Sequence, residues 1–291
     1  MTTRRNLLAL SGAAFAAGLG TYASAQSPAT PPAGATITQI RNATLRVSYG
    51  GVRFLVDPML SSRQSWPGFA GTVNSEERNP LVHLPLPMAD ILDVDAVIVT
   101  HLHEDHWDET ARETLPKSLP VFTQNDADAE VIRSQGFADV RVLSATTEFG
   151  GVRLIKTGGR HGSDAAYQAI GDILGQVCGV VLAHPEEKTV YLAGDTIWND
   201  DVARVLAVHR PEVAILNAGY AMIEGLDSGI IMGTADVRAV HQASPDTLLI
   251  ASHMEAVNHC VLTRAELRSF AQEQGFADML RTPGDGEIVL I

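Results

Sequence analysis

The stretch Thr100-His101-Leu102-His103-Glu104-Asp105-His106-Trp107-Asp108 decides the architecture of this chain, and it closes a β-type apolar run that begins at Ala96. Side chains alternate along an extended backbone, so His101, His103 and Asp105 are expected to share one face. His106 comes round to the same side at the turn into a helix. Imidazole and carboxylate groups suit Zn, Mn or Fe far better than Ca or Mg alone. The stretch therefore predicts a metal site at the end of a buried strand.

Other short apolar runs also end in polar residues. Uninterrupted apolar runs are typical of strands buried on both faces, and polar residues at their C-terminal ends form sites in sheets that helices cover. Alternation of such runs with helical segments predicts a layered α/β architecture. The runs and the residues that follow them are Val190–Ala193 before Gly194-Asp195, Val213–Leu216 before Asn217, and Leu248–Ala251 before Ser252-His253.

A repeated phrase favours two similar halves. Gly50-Gly51 joins two strand-like runs, Ala43–Tyr49 and Val52–Val56, and predicts a tight hairpin. The phrase GGVRFL of residues 50–55 returns as GGVRLI in residues 150–155. Reuse of one turn chemistry would explain this phrase by itself, but the matching strand ends described above extend the likeness.

Helix caps and one long loop complete the organisation. Asp108 is predicted to cap a helix that ends before Pro116, and Thr234 precedes a helix over residues 235–242. Thr263-Arg264-Ala265-Glu266 is a capping-box sequence for a helix that runs to about Glu273. Residues 60–87 show neither helical nor strand periodicity, which predicts a long irregular loop packed over another part of the molecule.

Composition narrows the function classes. The 291 residues are 45% hydrophobic and 19% charged, as in an ordinary folded globule. The net charge is −13, and without residues 1–25 the remaining 19 basic and 34 acidic side chains give −15. Such an acidic body repels nucleic-acid backbones and anionic lipid, so neither a nucleic-acid partner nor a membrane surface is expected. Two cysteines, Cys178 and Cys260, exclude a disulfide framework; they either form one bridge or remain two buried thiols.

The N-terminus is interpreted as an export signal. Arg4-Arg5 precedes an apolar stretch, Leu7–Leu19, and Ala23-Ser24-Ala25 forms a cleavage site before Gln26. The paired arginines resemble a twin-arginine signal, which predicts the export machinery of that route as a partner and a periplasmic mature protein; an ordinary secretory signal remains the alternative. The predicted organisation is a signal peptide over residues 1–25, a flexible lead-in over residues 26–35 and one catalytic domain over residues 36–291, with no stable membrane span in the mature chain.

The pattern His101-x-His103-x-Asp105-His106 resembles the signature of the metallo-β-lactamase superfamily, and the resemblance extends over the mature chain. It is closest to the branch that includes the ascorbate-phosphate lactonases. It implies an αββα four-layer sandwich of two similar halves and a pair of divalent metal ions, zinc first, with manganese or iron as alternatives. By position, His161 matches the third histidine of that superfamily, Asp195 its bridging carboxylate and His253 its last histidine. One cation would then be held by His101, His103, His161 and Asp195, and the other by Asp105, His106, Asp195 and His253.

The expected activity is a binuclear metal-dependent hydrolase acting on a small or lipid-like substrate. Two cations that share a carboxylate ionise a bridging water, which attacks an ester, lactone or phosphodiester, and Asp105 is the group expected to receive its proton. Two alternatives remain open, a non-hydrolytic periplasmic metal-binding or sensing protein on the same scaffold and a β-lactam hydrolase. Asp57 is either an acceptor for a ligand histidine or a plain turn residue. The candidate substrate contacts are Asn217, Tyr220, Asn258 and His259.

Overall fold

The fourteen strands of the computed structural model, which describes residues 34–291, form two mixed sheets of seven strands each. In chain order the strands are β1 Thr36–Arg41, β2 Thr44–Tyr49, β3 Val52–Val56, β4 Ala96–Val99, β5 Val121–Thr123, β6 Val140–Val142, β7 Thr147–Phe149, β8 Val152–Thr157, β9 Gly179–Ala183, β10 Val190–Leu192, β11 Val213–Asn217, β12 Leu248–Ser252, β13 Leu280–Arg281 and β14 Ile288–Leu290. The strand orders are β14-β1-β2-β3-β4-β5-β6 and β13-β12-β11-β10-β9-β8-β7. The predicted signal peptide and the lead-in up to residue 33 lie outside the described residues.

The two sheets follow one plan. In the first, β14, β1, β2 and β3 pair antiparallel and β3 to β6 pair parallel. In the second, β7 to β10 pair antiparallel and β10 to β13 pair parallel. This confirms the prediction of two similar halves.

The repeated Gly-Gly phrase, however, does not mark equivalent positions in these halves. Gly50-Gly51 joins the third and fourth strands of one antiparallel run, whereas Gly150-Gly151 joins the first and second strands of the other. All four glycines have positive φ, which explains the shared turn chemistry. The two turns also face each other, because a Cβ on Gly50 would press on Val152 and a Cβ on Gly150 would press on Val52.

Helices cover both outer faces and confirm the four-layer sandwich. Apolar side chains of the two sheets, such as Phe54 and Leu182, fill the space between them. Helices α1 to α3 pack on the first sheet and α5 to α7 on the second. The helices are α1 Met88–Ile91, α2 Glu109–Thr114, α3 Asp126–Ser134, α4 Asp164–Leu174, α5 Asp200–His209, α6 Thr234–Ala243 and α7 Arg264–Glu273, and a 3-10 turn covers Ala277–Met279.

The predicted caps are confirmed at two of three helices. Asp108 accepts a hydrogen bond from the Ala111 N–H, and Thr263 and Glu266 form a reciprocal capping box. The third helix, α6, begins one residue earlier than predicted, with Gly233 as its N-cap. Its first turn is held by Asp236, whose carboxylate accepts the Gly233 N–H at 2.9 Å.

Two segments outside the layers determine the shape of the site. Residues 60–87 form the predicted irregular loop, fastened at its base by the buried Arg41, whose guanidinium donates to the carbonyls of Met59, Ser61 and Val82. Helix α4 was not expected from the sequence, and its residues Ala166 and Leu174 pack in a separate apolar cluster. No helix within residues 34–291 has the length and apolarity that a membrane span requires.

Candidate metal centre

Strand ends bring the seven predicted ligands to one place. His101 follows β4, Asp195 lies three residues beyond β10, and His253 immediately follows β12. His161 lies four residues beyond β8. All of these strands terminate at the same edge of the sandwich, so residues about 150 positions apart meet there, as at ligand sites beside the carboxyl ends of strands in open sheets.

The carboxylate of Asp195 is the centre of this cluster. Its Oδ2 lies within 3.2 to 3.8 Å of the Nε2 atoms of four histidines: 3.2 Å from His106, 3.4 Å from His161, 3.7 Å from His253 and 3.8 Å from His101. Its other oxygen, Oδ1, accepts a hydrogen bond from the Asn217 amide at 2.7 Å. One oxygen of Asp195 is therefore free to be shared between both sides of the cluster. We call the seven residues His101, His103, Asp105, His106, His161, Asp195 and His253 the metal cluster.

The metal cluster divides into two sets on either side of Asp195. In the first, His101 Nε2 and His103 Nδ1 are 2.9 Å apart, and both can share a ligand with His161. In the second, His253 Nε2 lies 3.1 Å from Asp105 Oδ2 and 3.1 Å from His106 Nε2. A third group, His101, His106 and Asp195, links the two sets.

Each histidine has a partner for the nitrogen that faces away from the centre. Carbonyl and carboxylate oxygens can only accept, so the outer nitrogens of His103, His106 and His161 carry a hydrogen, and in a neutral ring the inner nitrogen then presents its lone pair. The outer contacts are His101 Nδ1 to Thr100 Oγ1 at 3.2 Å, His103 Nε2 to the Ile173 carbonyl at 2.9 Å, His106 Nδ1 to Asp57 Oδ2 at 2.9 Å, His161 Nδ1 to the Ile230 carbonyl at 3.0 Å, and His253 Nδ1 to Cys260 Sγ at 3.3 Å.

This donor set fits divalent cations. Two nitrogens that bind one zinc ion at about 2.0–2.1 Å in tetrahedral geometry lie about 3.3 Å apart, close to the 2.9 Å and 3.1 Å separations of the inner nitrogens here. Where both inner nitrogens present lone pairs, no hydrogen bond can join them, and a shared cation accounts for their approach. The set of imidazoles and carboxylates without thiolate is typical of Zn, Mn or Fe.

The charges of the metal cluster also favour a bound divalent cation. Burial lowers the pKa of His161 to about 4, so this ring is neutral at pH 7. Burial also opposes protonation of His106, but the carboxylates of Asp195, Asp105 and Asp57 outweigh it and raise its pKa to about 10. Buried carboxylates thus attract positive charge to the centre of the site, and a divalent cation supplies that charge in place of protons.

Two residues of the site are held in an unusual backbone conformation. Asp57 has φ 44° and His253 has φ 58°, and both stand immediately after a strand. A left-handed conformation in a residue other than glycine is uncommon and costs roughly 1–3 kcal/mol, a strain that concentrates at functional sites. Here it turns the Asp57 carboxylate toward His106 and the His253 ring toward Asp105.

A cavity of about 320 Å³ opens beside the metal cluster. His103, Asp105, His161 and Asp195 line its inner end. Its remaining lining is largely apolar, and no lysine or arginine is among the described residues that line it. We call the apolar lining side chains Phe69, Ile170, Ile173, Leu174, Ile223 and Ile230 the cavity wall.

Comparison with known proteins agrees with this geometry. Residues 52–256 match the family model described as the beta-lactamase superfamily domain, and this match spans the strand ends that carry the metal cluster. The chain belongs to the beta-lactamase superfamily. The superfamily predicted from the sequence is thereby confirmed, whereas the lactonase-like branch stays a prediction.

Relatives within the beta-lactamase superfamily specify the class of enzyme. The UPF0173 protein YddR of Bacillus subtilis (strain 168) is 46% identical over 253 residues, which cover 86% of this chain and 98% of that protein. The crystal structure of an isothiocyanate hydrolase from Delia radicum gut bacteria is 47% identical, with a TM-score of 0.85, and the match covers 88% of this chain and 99% of that one. A UPF0173 metal-dependent hydrolase of Chelativorans sp. (strain BNC1) is 27% identical over 63% of this chain and 72% of its own length. This beta-lactamase superfamily member is a metal-dependent hydrolase, and the non-enzymatic alternative is set aside.

The other candidate site residues of this superfamily member lie at different distances from the metal cluster. Asp57 contacts His106 directly, and Asn217 contacts Asp195, so Asn217 orients a cluster carboxylate instead of lining the cavity. Tyr220 does not line the cavity; its ring packs on Gly229 and Gly233 in a separate pocket. Neither side chain lines this cavity, and a substrate contact at Asn217 or Tyr220 stays a prediction.

Asn258 and His259 differ although they are neighbours. The Asn258 side chain accepts hydrogen bonds from the Phe69 N–H and the Asn79 amide and donates to Thr72 and Val73. It therefore fastens loop 60–87, and it is not among the residues that line the cavity. His259, by contrast, lines the cavity. Sequence reasoning could not separate the two, because both follow His253 in one irregular stretch.

Two residues of the site were missed in the sequence. Asn42, with φ 55° in the turn between β1 and β2, donates from Nδ2 to Asp105 Oδ2 at 3.3 Å and to the Asp105 carbonyl at 3.1 Å. Cys260 is free and its thiol contacts His253, while Cys178 is free and buried elsewhere. An asparagine in a tight turn and a lone cysteine carry no spacing signal that would have revealed these contacts.

Proposed function

We propose that this protein is a binuclear hydrolase that acts on small, neutral electrophiles with an apolar substituent. The single observation that carries the proposal is the placement of Asp195 Oδ2 within 3.8 Å of four histidine nitrogens beside an otherwise apolar cavity. Such a carboxylate is suited to bridge two cations, and the cavity next to it is suited to hold an uncharged substrate.

The proposed ligand sets follow the two sides of the cluster. His101, His103, His161 and Asp195 would hold one cation, and Asp105, His106, Asp195 and His253 the other, with zinc as the first candidate and manganese or iron as alternatives. When bound, such cations lower the pKa of water toward neutrality and polarise the bond under attack. Asp105, which lines the cavity and is steadied by Asn42, is the group proposed to accept the proton of the attacking water.

The lining of the cavity supports a neutral substrate. Beyond the proposed cations, the described lining residues include Glu104 and no lysine or arginine, so the part of an anionic substrate that lies away from the metal cluster would meet no basic side chain. An uncharged compound with an alkyl or aryl group would bury that group against the cavity wall at about 25 cal/mol per Å². This favours isothiocyanates, lactones and uncharged esters over phosphodiesters.

The first substrate class to test is the isothiocyanates, since a solved relative of 47% identity is an isothiocyanate hydrolase. Water adds its oxygen to the central carbon of R–N=C=S, and the nitrogen takes up a proton. Cleavage of the C–N bond then releases the amine R–NH₂ and carbonyl sulfide, so R–NCS and one water are converted without any other reactant. Lactones and esters are the second class, because the same attack on a carbonyl carbon opens them.

A loading and turnover experiment tests this function. The purified protein is stripped of metal, reloaded with zinc, manganese or iron, analysed for metal content, and assayed with benzyl isothiocyanate, γ-nonalactone and p-nitrophenyl acetate. We expect close to two metal ions per chain and turnover of at least one compound, abolished in His103→Ala and Asp195→Ala. The exposed residues His83 and Asp246 offer matched controls, His83→Ala and Asp246→Asn, which should retain activity. Two bound metals without turnover of any member of the panel would contradict the proposed substrate class.

We also propose that the protein is exported and acts in the periplasm. The support is the arrangement of Arg4-Arg5, the apolar stretch and the Ala23-Ser24-Ala25 cleavage site. In cell fractionation, the native chain should lose residues 1–25 and appear in the periplasm, and a variant with both Arg4→Lys and Arg5→Lys should remain uncleaved in the cytoplasm. Export of that double variant would indicate an ordinary secretory signal.

A further inference from the structure

His259 has features that a structural histidine rarely combines. It is only 7% exposed, and its Nδ1 is buried without a hydrogen-bond partner among the described residues. Its ring lines the cavity and meets the ring of Phe69 edge-on, with 4.9 Å between the ring centroids. A neutral imidazole carries one N–H and one lone pair, and leaving either buried and unpaired is costly.

The ring of His259 is neutral at physiological pH. Burial lowers its pKa to about 4, more than the nearby carboxylates Asp105 and Asp195 can offset. It therefore offers a hydrogen-bond donor without a charge, which suits an uncharged substrate.

Donors are scarce elsewhere in the cavity. Thr72 donates its hydroxyl to the Phe69 carbonyl at 2.7 Å, and the outer nitrogens of His103 and His161 are committed to carbonyls. The carboxylates of Glu104, Asp105 and Asp195 only accept when ionised. Among the described lining residues outside the metal cluster, His259 is thus the one side chain with an uncommitted N–H.

We propose that His259 is a substrate-contacting residue that donates a hydrogen bond to the heteroatom of the reacting group. The ligand it selects is a neutral compound with an acceptor atom (the nitrogen or sulfur of an isothiocyanate, or the oxygen of a lactone) next to an apolar substituent that lies on the cavity wall. The proposal rests on the proposed hydrolase function for its kinetic consequence, but the hydrogen bond can also be tested by binding alone. Phe69 holds the ring in place, and Asn258 holds Phe69 by accepting its N–H at 3.2 Å.

The test compares His259→Phe, which keeps an aromatic ring against Phe69 but removes the donor, with His259→Gln, which keeps an N–H. His241 supplies a matched control, because its Nδ1 is also buried without a partner and its ring also lies 4.9 Å from a phenylalanine, Phe276, away from the cavity. In the metal-loaded enzyme we expect His259→Phe to lower kcat/KM for benzyl isothiocyanate by about tenfold or more, His259→Gln to recover part of the loss, and His241→Phe to match the native enzyme. Unchanged melting temperatures would show that the loss is not one of folding.

Binding of two unreactive probes separates the hydrogen bond from turnover. N-benzylacetamide carries acceptor and donor atoms, whereas ethylbenzene carries none, and their dissociation constants are measured by calorimetry. His259→Phe should weaken the amide several-fold and leave the hydrocarbon unchanged. If the native enzyme fails to turn over the substrate panel, the proposed function fails while this comparison still decides the role of His259. Equal affinities of native and His259→Phe protein for the amide, or equal changes for both probes, would overturn the proposal.

Discussion

The metal cluster and the cavity wall adjoin each other but are built differently. The cluster consists of polar side chains at strand ends, all buried except the half-buried His103, and each is held by a defined partner on its far side. The wall consists of apolar side chains from α4 and from irregular segments, and one of them, Ile173, is 70% exposed. The difference indicates that the sheets position the metal cluster, whereas loops and helix α4 shape the cavity that would bind the substrate.

The two regions nevertheless touch, because the backbone carbonyls of two wall residues, Ile173 and Ile230, accept hydrogen bonds from His103 and His161. The carbonyl of Ile173, at the C-terminal end of α4, accepts the hydrogen bond from His103 Nε2 at 2.9 Å. Helix α4 is distorted at Ile170, where φ is −141° and ψ is 28°. A cluster ligand is therefore oriented by the same helix that lines the wall. A disturbance of α4 can reach the cluster through this contact and through Tyr167, whose hydroxyl accepts the backbone N–H of His161 at 3.2 Å.

Removal of metal should have the largest effect, because it acts on the whole cluster at once. Dialysis against a chelator is expected to abolish hydrolysis and to lower the melting temperature by about 5–10 °C, since a bound ion at 100 times its dissociation constant contributes about 2.7 kcal/mol of unfolding free energy. Calorimetric melts with and without reloaded zinc measure both. The five imidazoles and two carboxylates of the cluster form groups whose ligand atoms lie within 4.8 Å of one another, close enough to hold a metal ion. Full activity after complete metal removal would therefore contradict their assignment as metal ligands.

Loss of the central carboxylate should be the next largest effect. In Asp195→Asn the amide cannot be shared as an anion between the two sets, and we expect kcat/KM to fall by about a thousandfold, equivalent to about 4 kcal/mol of transition-state stabilisation. Metal analysis of the variant should show fewer bound ions per chain. Asp246→Asn, an exposed change of the same chemistry, should leave both values as they are.

The metal cluster could be predicted from the sequence better than the cavity wall, because the cluster lies at strand ends and the wall does not. Four cluster ligands lie within six positions behind a buried strand, and His161, Asp195 and His253 follow strands that their apolar runs disclose. The histidine partners were largely hidden, because two of them are the backbone carbonyls of Ile173 and Ile230, which leave no mark in the sequence. The wall could not be predicted, since its residues lie in segments without periodicity and are brought to the cavity only by tertiary packing.

Replacement of Asp57, the hydrogen-bond partner of His106, tests whether the residues behind the cluster ligands contribute to metal binding and catalysis. Asp57 accepts from His106 Nδ1 at 2.9 Å and also receives the Thr100 N–H at 2.7 Å. In Asp57→Asn we expect metal affinity or kcat/KM to fall by about 10–100-fold, as is usual when the carboxylate behind a ligand histidine is lost. Competition with a coloured zinc chelator measures the affinity. A variant indistinguishable from the native protein would make Asp57 a plain turn residue.

A change in the cavity wall should have the smallest effect on catalysis, and it should alter KM and leave kcat unchanged. Ile223→Ala removes apolar contact near the cavity but touches no cluster residue, so kcat should persist while KM for benzyl isothiocyanate rises by about threefold to tenfold. Methyl isothiocyanate has little apolar surface to bury, and its KM should change much less. Val208→Ala, an exposed change on α5, is the matched control. If Ile223→Ala instead lowered kcat for both compounds equally, the division between a reacting cluster and a selecting wall would fail, because the side chain would then be acting on the cluster.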